Sequence, residues 1–285
     1  MPVRRLAALL TPLILFVHCA QQNASTPDQS VSIPDQAAAP IDLGVPPGPT
    51  DLAASDAEPA EPGCLPGMAR IAAFCVDRYE AFVVEVTDAG AERPHSPYDV
   101  IGAAAVRAKN ARGSVPQGYI SQVQATDACR AAGKRLCSAS EFALACRGSQ
   151  PGDAGVAYYP YGGTMRVAGA CNEGKGSSVA RFFGSDPQKW TYANFNDPRL
   201  NQWDGGLAPS GSYPKCVSPF GVADCVGNLH EWGSDPPDQN NHGRFRGGFY
   251  GDAEINGKGC LYVTSAHDPT YHDYSTGFRC CMDAR

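Results

Sequence analysis

The chain has 285 residues, 43% of them hydrophobic and 18% charged, with a formal net charge of -6 at pH 7, 31 Gly, 24 Pro and 12 Cys. That length can bury a real core, and the composition excludes collagen, coiled coil and wholesale disorder. The charge balance provides no cluster of Lys and Arg for a nucleic-acid groove, and twelve cysteines spread along the chain point to disulfides made in an oxidising compartment.

Arg4 and Arg5 precede a twelve-residue apolar stretch, residues 6–17, interrupted by Thr11 and Pro12. A bilayer span needs roughly 20 apolar residues, so residues 1–19 read as a signal peptide and not as a permanent membrane helix. Phe16-Val17-His18-Cys19 resembles a bacterial lipobox with Cys19 as the lipidated residue. His18 departs from the small residue preferred there, and cleavage near Cys19 with free secretion is the other exit. Residues 20–62 form a tether. Between 21 and 62 stand eight Pro and seven acids but no Lys, Arg or aromatic residue, a composition that buries no core and extends on the order of 100 Å. An exported monomer is expected, a cell-envelope lipoprotein of the outer membrane or periplasm or else a secreted protein, touching membrane only through its lipid.

Residues 63–285 have the composition of one folded unit. Residues 70–76 and 79–86 read as short strands joined at Asp77-Arg78. From 121 to 132, Val123, Ala125, Ala128, Cys129 and Ala132 fall at helical spacing, and Gly133 supplies a left-handed stop. A second helix starts at the capping box Ser138-Ala139-Ser140-Glu141 and halts at Gly148. Beyond Gly148 no helix is evident in well over 100 residues, so disulfides, bound cations or both must hold that run. Asn172, Asn194, Asn196, Asp197, Asp204, Asp224, Asn228 and Glu231 offer the oxygen ligands that Ca²⁺ prefers, although the same residue types also fill turns.

Four ordered motifs then carry a resemblance. Ala132-Gly133-Lys134-Arg135-Leu136 with Ser138 to Cys146-Arg147-Gly148 resembles "AGKRLPTEAEWEYACRG". Gly221-Val222-Ala223-Asp224 with Val226-Gly227-Asn228-Leu229-His230-Glu231-Trp232 resembles "GLYDMVGNVWEW". Arg246-Gly247-Gly248 and Gly277-Phe278-Arg279-Cys280 resemble "RGGS" and "GFRC". On these the chain is identified as similar to the sulfatase-modifying-factor, or formylglycine-generating-enzyme, family. The resemblance implies an α+β, modified C-type-lectin-like fold with little regular structure, two packed helices and loops stabilised by disulfides and calcium.

It also implies framework disulfides Cys129 with Cys280 and Cys146 with Cys260. Cys64 with Cys75, Cys137 with Cys281 and Cys171 with Cys216 are the remaining pairs considered, leaving Cys225 as a buried thiol where relatives carry Met. One implied calcium site takes backbone oxygens near Val226, Gly227 and Leu229 and the carboxylate of Glu231; a second would use Asn172 or Asn194 and Asp204. Active members of the family look to bind Cu(I) through two cysteines after the Gly-Gly-Ser motif and to oxidise a substrate cysteine with O₂. Here Phe249 replaces Ser, residues 250–259 contain no Cys, and Ser275 and Thr276 stand where an Asn is expected. The family's reaction therefore lacks its metal ligands. The segment His267-Asp268-Pro269-Thr270-Tyr271-His272-Asp273 could, with His230, build a harder Fe(II), Zn or Cu(II) site, or simply brace a loop.

Two functions of different class follow. The first is a calcium-stabilised, non-catalytic module that presents aromatic residues to a protein, peptide or glycan ligand. The second is an oxygen-dependent metalloenzyme, either a formylglycine-type oxidase acting on a protein or peptide cysteine through rearranged thiols or one using the His267/His272 cluster with His230 nearby.

Overall fold

The computed structural model describes residues 60–148 and 157–285, all within one compact unit, Ala53–Arg285. The expected signal peptide, Cys19 and most of the tether lie outside the described residues.

The first strand segment folds back on itself. β1 (Met68–Ile71) and β2 (Phe74–Asp77) pair antiparallel with Met68 opposite Asp77, and the corner falls at Ala72, whose φ is 52°. The corner expected at Asp77-Arg78 is thus displaced. Asp77 is fully buried, bonded to Lys134 and to the backbone N–H of Cys280, and cannot serve as an exposed turn residue. Arg78 to Ala81 run on as buried connection, and only β3 (Phe82–Val86) is strand, flanked by β4 (Glu92–Pro94) and β5 (Val106–Lys109).

Both helices begin where their caps place them. α1 (Gln122–Ala131) is opened by Ser121, whose hydroxyl accepts from the Gln124 N–H. α2 (Ala139–Arg147) is opened by a reciprocal Ser138–Glu141 box and closed by Gly148 at φ 74°. Between them β6 (Arg135–Leu136) joins the first sheet, whose order is β1-β2-β11-β6 with β11 at Cys280–Asp283.

The run after Gly148 is not free of helix. α3 (Ser178–Phe183) and α4 (Tyr192–Phe195) are capped by Ser177 and Thr191. At six and four residues they are too short for an apolar period to emerge. The inner sheet is β10-β7-β8-β9, built from β7 (His230–Trp232), β8 (Phe245–Arg246), β9 (Val263–Thr264) and β10 (Thr276–Phe278), with β10 parallel to β7.

Five disulfides tie these pieces: Cys64–Cys75, Cys129–Cys280, Cys137–Cys281, Cys146–Cys260 and Cys171–Cys216. Cys146–Cys260 ties α2 to the segment before β9, and Cys171–Cys216 closes the irregular region. With the other bridges intact, Cys137–Cys281 already joins the ends of the Cys129–Cys280 loop, so on chain entropy the Cys129–Cys280 bond alone closes only about ten residues, close to the separation of 11 for Cys64–Cys75. Replacing Cys129 and Cys280 by Ala, or Cys64 and Cys75, should therefore cost about 3 kcal/mol in either case, read as similar falls in the urea unfolding midpoint.

Candidate functional site

β7 is the axis of the site. Strand alternation sends Glu231 to one side and His230 and Trp232 to the other. Glu231 meets Arg279, which follows β10: Nε donates to Oε2 at 2.5 Å and Nη2 to Oε1 at 2.6 Å, and both side chains are buried. The guanidinium also donates to the carbonyls of Asp77 at 3.2 Å and Ala223 at 3.0 Å.

Two further carboxylates lie beside this pair. Glu80 accepts from the Leu229 N–H at 3.0 Å and from Asn228 Nδ2 at 2.5 Å; burial, then Asp224 and Glu231, push its pKa well up. Asp224 accepts from the Gly211 N–H at 2.6 Å, and burial raises it to about 6. Asn228, at φ 57°, joins the group to Asn172, whose Nδ2 donates to Asn228 Oδ1 at 2.8 Å.

In this arrangement the side chains expected as calcium ligands have other partners. Ca²⁺ takes about six to eight oxygens, with carboxylates carrying its charge. Both oxygens of Glu231 are engaged by a buried guanidinium, so a second cation there would face the charge of Arg279, with Glu80 and Asp224 as the neighbouring carboxylates. The second set does not converge. Asn172 spends its side chain on Tyr213, Gly206 and Asn228, Asn194 caps α4 through Thr191, and Asp204 is exposed. Among the described residues no three His, Cys, Asp or Glu are grouped to hold a metal ion.

Among the described residues the histidines form no metal-holding group, although His230 and His267 both pack on Phe245. His267 stacks parallel on Tyr271 with centroids 3.6 Å apart, and His272 lies edge-on to Tyr192 with Nδ1 3.4 Å from the Thr270 carbonyl. His230 is buried among Phe245, Phe249 and Tyr262. Its Nδ1 lies 3.2 Å from Ser275 Oγ and its Nε2 3.2 Å from the Tyr262 hydroxyl.

The neighbours fix its tautomer. Ser275 Oγ donates to Asp273 Oδ1 at 2.7 Å, so it accepts from Nδ1–H of His230. Tyr262 then donates to Nε2 and accepts from Asn256 Nδ2 at 3.0 Å. Tyr271 donates to the other oxygen of Asp273 at 2.7 Å, completing a chain from Asn256 to Tyr271 with His230 at its centre. Burial, then His267, lower the pKa of His230 to about 3, so the chain is neutral at its middle. Tyr262, Ser275 and Asp273 were not singled out as partners of His230 from sequence. The available signal was His230 itself, standing where "GNVWEW" has Trp.

The turn after Arg246 is filled by packing. A Cβ on Gly247 would lie 2.6 Å from the Cys225 carbonyl oxygen, and one on Gly248 would lie 2.4 Å from Ala253 Cα. Phe249 packs edge-to-face on Tyr250 and Tyr274. Among the described residues Cys225 is the one free cysteine; it is buried, and burial pushes its thiol up to about 12.

The sulfatase-modifying factor enzyme 1-like domain model matches residues 29–284. Among solved structures, the I1 variant of Major Tropism Determinant is similar at 14% identity over 76% of this chain and 52% of that one, with a TM-score of 0.43. Its U1 variant gives the same identity and coverage with a TM-score of 0.42. A crystal structure of CarF is similar at 16% identity over 74% of this chain and 87% of that one, with a TM-score of 0.42. The chain spans about half the length of the Major Tropism Determinant chains it matches. No curated protein matches it.

Two measurements follow from the geometry. With Arg279 as the cation at Glu231, a calcium chelator should leave the thermal midpoint of the chain unchanged; a fall reversed by added Ca²⁺ would show a bound ion. For His230 the folded pKa of about 3 lies below the ordinary 6.5, so the unfolded chain takes up the proton first and stability is lost as pH falls below 6.5. His230→Gln removes that loss. Relative to wild type it should gain about 2 kcal/mol between pH 7 and pH 5 in urea titrations.

Proposed function

Because the chain belongs to the sulfatase-modifying factor enzyme 1-like family, we propose that it is an exported, lipid-anchored envelope protein whose domain binds a protein, peptide or glycan partner and does not make formylglycine. The observation that carries this reading is the fate of the thiols. Ten of the described cysteines are spent in disulfides, and Cys225 is buried and protonated. Cu(I) needs a pair of accessible soft thiolates, and the segment that would supply them holds Phe249, Tyr250, Asp252 and Ile255 instead.

What the domain does offer is a set of rings. Tyr192, 49% exposed, lies 5.5 Å from Tyr271 and 5.8 Å from His272, and Tyr271 carries His267 on its face. Rigid rings with polar tips contribute large contact area at small entropy cost, the property that makes such residues frequent in binding faces. The five disulfides support export, since they persist outside a reducing compartment. Cys19 and the tether support anchoring through their sequence alone. The enzymatic reading needs His230, His267 and His272 to share one metal, and their rings have the separate partners described above.

The full chain, purified without chelator and incubated with Cu(I), O₂ and a cysteine-containing peptide, should yield no formylglycine. Oxidation of the peptide by wild type, lost in a folded His267→Ala/His272→Ala variant, would overturn the binding reading.

A further inference from the structure

We propose that Lys134 and Asn110 join in an isopeptide bond between Nζ and Cγ, with Asp77 as the catalytic residue that moves protons from one nitrogen to the other. The three side chains come from separate places in the fold: Asn110 follows β5, Lys134 lies between α1 and β6, and Asp77 ends β2. They meet on a single atom. Oδ1 of Asp77 accepts from Lys134 Nζ at 2.6 Å and from Asn110 Nδ2 at 2.8 Å. Oδ2 accepts from the Cys280 N–H at 3.1 Å, and Arg279 takes the main-chain carbonyl of Asp77. The carboxylate is thereby fixed with Oδ1 toward the two side-chain nitrogens. The backbone of Lys134 is held as well, its N–H donating to the Cys129 carbonyl at 2.9 Å.

The meeting place is dry. The Asp77 side chain is fully buried and that of Lys134 is 6% exposed. A charged pair loses its hydration there, and passing one proton from the ammonium to the carboxylate leaves a neutral amine beside a neutral acid. Burial, opposed by Lys134, raises the Asp77 carboxyl above the ordinary carboxylate range, the direction that favours this transfer. The amide of Asn110 is not held by its oxygen. Asn110 Oδ1 is buried and accepts no hydrogen bond among the described residues, and a Cβ on Gly67, at φ 76°, would lie 3.0 Å from it. An acceptor buried without a partner is a cost that a merely bracing Asn would avoid, and it is explained when the amide is a reactant.

The reaction balances without a cofactor or co-reactant. The Lys134 ammonium gives a proton to Asp77 Oδ1, and the freed lone pair on Nζ attacks Cγ of Asn110. The Cγ–Nδ2 bond breaks as the amide to Nζ forms. Nζ gives up two protons in all and Nδ2 gains two, so the leaving group departs as ammonium, and both transfers run through the one oxygen that touches both nitrogens. No group is oxidised or reduced. The product ties the end of β5 to the turn after α1 by a link that reductants do not open.

The test is peptide mapping of the full chain, purified from an exporting host, reduced, alkylated and digested with trypsin. Acylated Lys134 is no longer a cleavage site, so the wild type should yield a branched peptide of residues 110–112 joined to 131–135. Its mass should be lower by one ammonia than that of the two pieces. Asn110→Ala keeps the Lys134–Asp77 pair and should fold, as unchanged near-ultraviolet circular dichroism would verify, yet lose the branched peptide. Separate peptides 110–112 and 131–134 from folded wild type would overturn the proposal. A branched peptide that joins Lys134 to Asp77 with loss of water would overturn the choice of Asn110. The link at wild-type yield in a folded Asp77→Asn variant would overturn the role of Asp77.

Discussion

A guanidinium closed off from water and held on both oxygens of Glu231 is the constraint on which the rest of the domain depends. Arg279 lies between β10 and β11, its partner sits on β7, and its remaining donors reach the end of β2 and the Ala223 loop. One side chain thereby connects two sheets and the irregular region. The cost of burying such a pair is offset only when its donors find partners, and the two carbonyls take two of the three N–H groups that Glu231 leaves over. The same economy limits what surrounds it. Asp77, Glu80, Asp224 and Glu231 are all buried, against the cations Arg279 and Lys134. Two carboxylates beyond the number of cations cannot all stay ionised in a dry interior, which is why Glu80 and Asp224 hold their protons more tightly than in water.

Features encoded by adjacent residues are legible in the sequence. α1 and α2 announce themselves through capping residues three positions apart and a glycine stop, and the four ordered motifs lead to the family. Features set by distant partners are not. The corner at Ala72 is decided by Asp77, whose partners lie 57 and 203 residues away. The oxygens of Glu231 and Asn172 look like calcium ligands because oxygen type is visible in a sequence and the identity of the neighbouring cation or amide is not. α3 and α4 take their stability from packing on the aromatic cluster around Tyr250, with too few residues to show a period.

The departures from the family's motif residues are concentrated in one place. His230 replaces a motif Trp, Phe249 replaces Ser, and the residues that pair with His230 come from the segments that hold or flank the altered positions, Asn256 and Tyr262 on one side, Ser275 and Asp273 on the other. A polar chain whose donors and acceptors match is a stable filling for a buried space.

Cys280 and Cys281 are neighbours on β11, so the pleat sends them to opposite faces: Cys280 joins the cluster containing Cys129 and Trp232, and Cys281 the one containing Cys137 and Phe142. Their loops, 151 and 144 residues, are nearly equal in length, so loop entropy hardly distinguishes this pairing from its exchange. The register of β11 against β2 and β6 makes the choice, because a slip of one residue would present each sulfur to the other's partner. Oxidation that outruns strand pairing would therefore trap a swapped isomer, and recovery from it requires thiol–disulfide exchange while β11 is still free to move. Correct covalent connectivity in this domain is a record of strand alignment reached first.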